Sequence, residues 1–164
     1  MAMTTTREMF EHELADIYDA EHQFLGGQQK MRQNASDPRL QQMIQTHILE
    51  TEGQIRTLEQ VFLALGLEPK RQTCSGAKGL VEEGSKVMQE ASLPELRDAA
   101  ISVAAAKCEH YEIVAYKDLI GGAELLGKRK VVTLLEQIRG QELATARRLE
   151  RSAPRLLQRA KQAE

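Results

Sequence analysis

Four times along this chain, apolar residues recur at alternating spacings of three and four, each time between a helix-starting and a helix-stopping signal. No stretch of useful length alternates apolar and polar residues as a half-buried strand would. The pattern restricts the chain to packed helices. Thr5 with Glu8 reads as a capping box, and the first helix carries Phe10, Leu14, Ile17, Phe24 and Met31 on one stripe. Gly26 and Gly27 interrupt it at about 1 kcal/mol each relative to alanine, which predicts a kink or the close approach of a neighbouring helix. Asp37 as cap and Pro38 as first residue open the second helix, whose inward face reads Leu40, Met43, Ile44, His47, Gln54, Leu58, Val61 and Leu65 before Leu65-Gly66 closes it.

Ser92 with Glu95 reads as another capping box, with Pro94 in the first turn. The third long helix carries Ala99, Ala106, Ile113, Tyr116 and Ile120 and ends at Leu126-Gly127. The fourth starts near Lys128 and carries Val131, Leu135, Ile138 and Leu149, with Pro154 expected to break it and leave a short basic tail helix. Between Gly66 and Ala91 the one amphipathic stretch is Leu80, Val81, Val87 and Met88, which reads as a small helix within a crossover. A connection of that length lets the second and third long helices run in the same direction, which a short turn forbids. The expectation is a single all-α domain over residues 1–164: a four-helix bundle with a long crossover containing a short helix, and a short C-terminal tail helix.

The chain's 164 residues suffice for one domain with its own core. No apolar run approaches the roughly 18 residues of a membrane-spanning helix, and the start, MAMTTTREMFEHE, lacks a basic segment followed by an apolar one, so a cytoplasmic location and no membrane partner are expected. Twenty-two basic residues against twenty-four acidic ones argue against a nucleic-acid surface. The basic run from Arg147 to Lys161 reads as a solvated helix end. Cys74 and Cys108 do not make a metal-binding spacing, and in a reducing compartment both are expected to be buried or idle thiols.

The stripes are interrupted by carboxylates. Glu21 and Gln28 occupy positions in phase with the first stripe, Glu50 lies one turn from His47 and Gln54, Glu109 is in phase on the third helix with Glu112 a turn away, and Glu142 is in phase at the centre of the fourth. Burying one unpaired ionised carboxylate costs several kcal/mol, and clustering four is prohibitive unless positive charge accompanies them. Two divalent cations carry the matching charge, and carboxylate oxygen suits iron or manganese. The competing reading has the glutamates reaching water or pairing with Arg56, Lys107, Lys117 or Arg139. His47 reads as a ligand, as the partner of one or as a hydrogen-bonded core histidine, Tyr116 as a hydrogen-bond donor to a ligand glutamate, a redox-active phenol or a packed tyrosine, His22 and His110 as packing or supporting groups, and His12 as a surface residue.

With those residues identified, the chain resembles the YciE/YciF family of bacterial stress-associated ferritin-like proteins. The similarity lies in ADIYDAEHQ, HILETEGQIRTLEQVF, TCSGAKGLVEEG, AAAKCEHYEIVAY and LLEQIRGQELAT, in that order. It implies a ferritin-like up-down-down-up bundle, a cytoplasmic homodimer and a centre of two divalent metal ions, iron or manganese, with peroxide or other oxidative-stress chemistry. Carried over by position, the metal ligands are Glu21, Glu50, Glu109, Glu112 and Glu142, with His47, Gln54 and Tyr116 beside them. The chain departs from the family on its last helix, where an acidic pair and a following aspartate are replaced by Gln141-Glu142 and Ala146. It also lacks the Glu-x-x-His pairs of ferritins and rubrerythrins, since Gly53 and Thr145 stand where the histidines would. The expected function is therefore a di-metal carboxylate protein acting on a small oxidant such as peroxide or dioxygen, set against a metal-free dimeric stress protein whose surface binds a partner.

Overall fold

A computed structural model describes residues 2–164, which form five helices: α1 (Thr6–Asn34), α2 (Pro38–Ala64), α3 (Ser75–Glu90), α4 (Pro94–Leu125) and α5 (Arg129–Ala163). There is no strand among the described residues. α1 packs on α2 and α4, and α5 packs on the same two, so the four long helices close a ring while α3 lies outside against α1 and α4. Their directions follow from the contacts at one end. Asp98 in the first turns of α4 accepts from the Ser36 and Asp37 backbone amides at 2.7 and 2.9 Å, and Asp37 caps the start of α2 by accepting from the Leu40 amide. α2 and α4 therefore start at the same end and run parallel. Arg155 and Arg159, late in α5, reach the same Asp37, which sets α5 antiparallel to α2.

The Thr5–Glu8 capping box forms as the sequence implies. Gly66 and Gly127 end α2 and α4 with φ of 74° and 66°, a left-handed conformation that a side chain would strain. Gly27 is the close approach: α1 runs on unbroken, and a Cβ there would stand 3.4 Å from Val81 of α3.

Two sequence readings are corrected. Ser92 and Glu95 do not form a capping box; the cap residue is Leu93, with no side-chain bond, because Pro94 already fixes the first helical φ and Arg97 reaches back to the Met88 and Ala91 carbonyls. Nor does Pro154 break the last helix. α5 continues through it to Ala163, so there is no separate tail helix. The proline ring is exposed and beside an exposed Glu150, whose carbonyl loses its helical partner on the solvent side, while Leu156 and Ala160 beyond it are buried in the core.

The core divides in two. One apolar half gathers Phe10, Leu14, Ile17, Phe24, Leu58, Val61, Leu135 and Ile138 with their neighbours, and the other gathers Met31, Leu40, Ile44, Ile101, Leu149 and Leu156 with theirs. Between them lies a layer of buried polar side chains. α4 is buried more widely than its stripe suggests, because it faces α1, α5 and α3, so Ala104, Ala105 and Cys108 are covered while Ala106 and Ile113 sit at the edge.

Candidate metal centre

The polar layer is built by the four long helices. Glu21, Glu109, Glu112 and Glu142 are all at most 1 % exposed. Each is embedded in its helix between apolar residues that enter one or the other half of the core, so the backbone leaves these carboxylates no route to solvent. One ligand atom from each of His47, Glu109, Glu112 and Glu142 lies within 4.8 Å of the others, a spacing that can hold a metal ion.

Around this group the hydrogen bonds are few. The Tyr116 hydroxyl donates to Glu21, and the Gln54 amide donates to Glu142 and to Gln141. His47 Nε2 lies 2.8 Å from Glu109 Oε1, and its Nδ1 faces Glu50 at 3.4 Å. One oxygen each of Glu21, Glu109 and Glu142 and both oxygens of Glu112 are buried without a partner. Such groups cost on the order of 1–3 kcal/mol each, more when charged, so a native core rarely holds five together without a compensating ligand.

Electrostatics agree. Burial pushes the Glu21 carboxyl up to about 7 despite the Tyr116 hydroxyl donating to it. Burial, then the neighbouring carboxylates, hold Glu112 and Glu142 well above the ordinary carboxylate range. Burial alone would lower His47, but Glu109 and then Glu50 outweigh it and raise the imidazole to about 9. Without another cation the layer is thus neutralised by protons held on carboxyls and by one imidazolium.

Glu50 is placed differently from the sequence expectation. Its side chain is 22 % exposed and turns to the seam between α2 and α5, where Arg148 Nη2 donates to its two oxygens at 3.1 and 3.0 Å and the Thr145 hydroxyl donates at 3.1 Å. Burial works against its charge, but His47 and Arg148 hold its carboxyl below the ordinary value. Glu112, one turn from Glu109 in the sequence and among the ligands the resemblance implies, takes the fourth inward place instead. The cation that pairs with a glutamate here is Arg148, none of the four arginines and lysines singled out from the sequence; Lys107, for instance, bonds Glu83 at the surface. Arg148 sits six residues after Glu142, nearly two turns on, and that offset with Thr145 between them was the available signal.

The histidines divide as well. His47 is buried and central, His22 packs edge-on against Tyr18, His110 meets Glu150 at the surface, and His12 is half-buried against Gln72. Cys74 and Cys108 are buried free thiols, the former capping α3. Ala146 is buried one turn beyond Glu142 and supplies no ligand atom.

Four long helices in up-down-down-up order, a crossover helix outside them and carboxylates turned inward at mid-height define a ferritin-like helical bundle. The chain belongs to the family described as a domain of unknown function, DUF892, which its residues 5–162 match. It is 40% identical over 146 residues to Protein YciF of Escherichia coli K12, covering 88% of each chain. The solved structure of the E. coli stress protein YciF superimposes with a TM-score of 0.91, covering 95% of this chain and 99% of that one at 38% identity. YcfI from Rhodopseudomonas palustris matches at 0.88 and 36% identity, covering 90% and 94%. No described helix is long and apolar enough to cross a membrane.

Proposed function

We propose that this protein binds two divalent metal ions, iron or manganese, in the buried layer and uses them in oxidative-stress chemistry on a small oxidant, in the cytoplasm. The observation that carries the reading is the set of five orphaned carboxylate oxygens on Glu21, Glu109, Glu112 and Glu142. Four carboxylates match two divalent charges. Hard oxygen donors with a single imidazole are the donor set that iron and manganese accept.

Glu109, Glu112, Glu142 and His47 would be the ligands, with Glu21 completing the set from α1. Redox-active ions held there supply or accept electrons while the apolar halves of the core keep bulk water away. His47 offers one ring nitrogen to the centre and the other to Glu50, so Glu50 acts as the orienting carboxylate that fixes the tautomer, itself held by Arg148 and Thr145. Gln54 and Tyr116 donate to Glu142 and Glu21 and hold those carboxylates in place.

Metal analysis of freshly purified protein, with melting curves before and after adding manganese or ferrous iron, tests this. Ions that bind only the folded state stabilise it by about 2.7 kcal/mol at a hundred times their dissociation constant. The melting temperature should rise in the wild type. The rise should vanish in Glu109→Ala and shrink, without loss of stoichiometry, in Glu50→Ala. An unchanged melting temperature in the wild type would leave the second reading, a metal-free stress protein, which is favoured by Arg148 having taken over Glu50.

We further propose a homodimer. Val87, Leu96, Val103 and Leu157 are all at least 41% exposed, an apolar surface that pairing could cover. Sedimentation equilibrium at micromolar concentration should return twice the 18.4 kDa chain mass; a monomer would end this proposal.

A further inference from the structure

The basic run at the end of the chain, a solvated helix end by its sequence, acquires a shape once α5 is packed. Arg148, Arg151 and Arg155 fall at three- and four-residue spacings, so one face of α5 carries all three. α2, antiparallel to it, presents Arg39, Gln42 and Thr46 at the same spacings. The two rows line one open groove of about 510 Å³, which Met43 and Ser152 complete. Asp37 holds Arg155 beside one end and Glu50 holds Arg148 beside the other. Between those ends each row extends about 10 Å, seven residues at a rise of about 1.5 Å each.

The middle of the groove is rich in donors. No carboxylate lines it. Arg39 and Arg151, one on each helix, are exposed and make no ion pair among the described residues, whereas Arg155 and Arg148 are taken by Asp37 and Glu50. Arg148 uses only Nη2 on Glu50 and Thr145, which leaves its Nη1 without a protein acceptor. Unpaired guanidiniums facing each other across a seam repel, and an anion between them removes that repulsion.

The chemistry of the anion follows from the donors. A guanidinium fork fits two phosphate oxygens at once. The free donors stand at three successive levels: Arg39 near Asp37, Arg151 with Gln42 in the middle, and Arg148 near Glu50. A single phosphate would meet one level and fill a small part of the groove. We infer that the groove between α2 and α5 binds an oligophosphate, a chain of two or three phosphoryl groups, either free or carried by a nucleoside. The site lies outside the carboxylate layer and does not depend on the metal reading.

Calorimetric titration of the purified protein with inorganic triphosphate, in buffer without divalent ions, is the test. It belongs at about 0.15 M salt, where exposed charges more than about 8 Å apart are largely screened and a diffuse positive field contributes little. One triphosphate per chain is expected, bound at least tenfold more tightly than inorganic phosphate. Arg39→Gln combined with Arg151→Gln should weaken it at least tenfold at an unchanged melting temperature, since neither side chain makes an ion pair that folding would lose. Lys128→Gln combined with Lys130→Gln, the same change of charge at the exposed opposite end of α5, should leave binding unaltered. Adenosine triphosphate binding more tightly than inorganic triphosphate assigns the groove to a nucleotide; equal or weaker binding assigns it to the free chain. The inference is overturned by no binding to the wild type, by equal affinity for phosphate and triphosphate, or by equal losses in the two double variants. Tighter binding of a short single-stranded oligonucleotide than of triphosphate overturns it as well.

Discussion

Asp37 shows how much one side chain can carry when two roles meet on it. It caps α2 through the Leu40 amide and accepts from Arg155 and Arg159, which ties the start of α2 to the end of α5. The Arg155 guanidinium, helped by the Leu40 amide and Arg159, holds the Asp37 carboxyl well below the usual carboxylate range although burial opposes this. A carboxyl whose native value is depressed stabilises the fold fully above its unfolded value, about 3.9, and that stability is lost as pH falls through the native value. Asp37→Asn should therefore lower stability at pH 7, and the gap between variant and wild type should narrow steadily below pH about 4. Urea unfolding at pH 7, 4 and 3 checks this; a gap that stays constant with pH would mean the charge on Asp37 contributes nothing. The same residue was legible as a cap in the sequence, because Asp-Pro before an apolar stripe is a local signal. Its two arginine partners, more than a hundred residues away, were not.

At the scale of the helix, α5 sets local preference against tertiary packing, and packing wins. Proline in a helix interior costs about 3 kcal/mol, enough to end most helices. Here the helix resumes because Leu156 and Ala160 are buried and Arg155 and Arg159 are held by Asp37, so the last turns are fixed from outside the helix. Pro154→Ala should then stabilise the protein by roughly 1–3 kcal/mol, since it restores the amide to the Glu150 carbonyl without disturbing any buried contact. Thermal melts measure it. An unchanged or lowered melting temperature would show that α5 is bent at Pro154 in a way the core requires. The glycines ending α2 and α4 are the opposite case: the left-handed φ of Gly66 and Gly127 is a local requirement that packing only follows.

The whole molecule places its least stable material at its centre. The two apolar halves of the core are separated by a layer of buried carboxylates, in which both oxygens of Glu112 are unpartnered. Replacing buried charged groups by apolar ones of similar size is often stabilising, by about 1–4 kcal/mol. Glu112→Leu should raise the melting temperature of metal-free protein and abolish any rise on adding metal. That opposition of signs marks a group retained for binding; a variant less stable than wild type in metal-free buffer would instead identify Glu112 as a structural contributor.

The sequence by itself determined the helices and most of their ends, because caps, proline at the first turn, left-handed glycines and a three-four spacing are local properties read within a few residues, whereas the length of the crossover only allowed two long helices to run parallel and the up-down-down-up order came from the family resemblance. It also determined that Glu21, Glu109 and Glu142 point inward, since phase with an apolar stripe is geometry internal to one helix. Only the tertiary structure decided between Glu50 and Glu112. Both stand one turn from an inward residue, and which of them enters the core depends on what the neighbouring helix offers: Arg148 and Thr145 across the α2–α5 seam draw Glu50 outward, while α4, covered on three sides, leaves Glu112 nowhere else to go. The continuation of α5 past Pro154 belongs to the same kind, because it depends on side chains that meet only once the helices are packed.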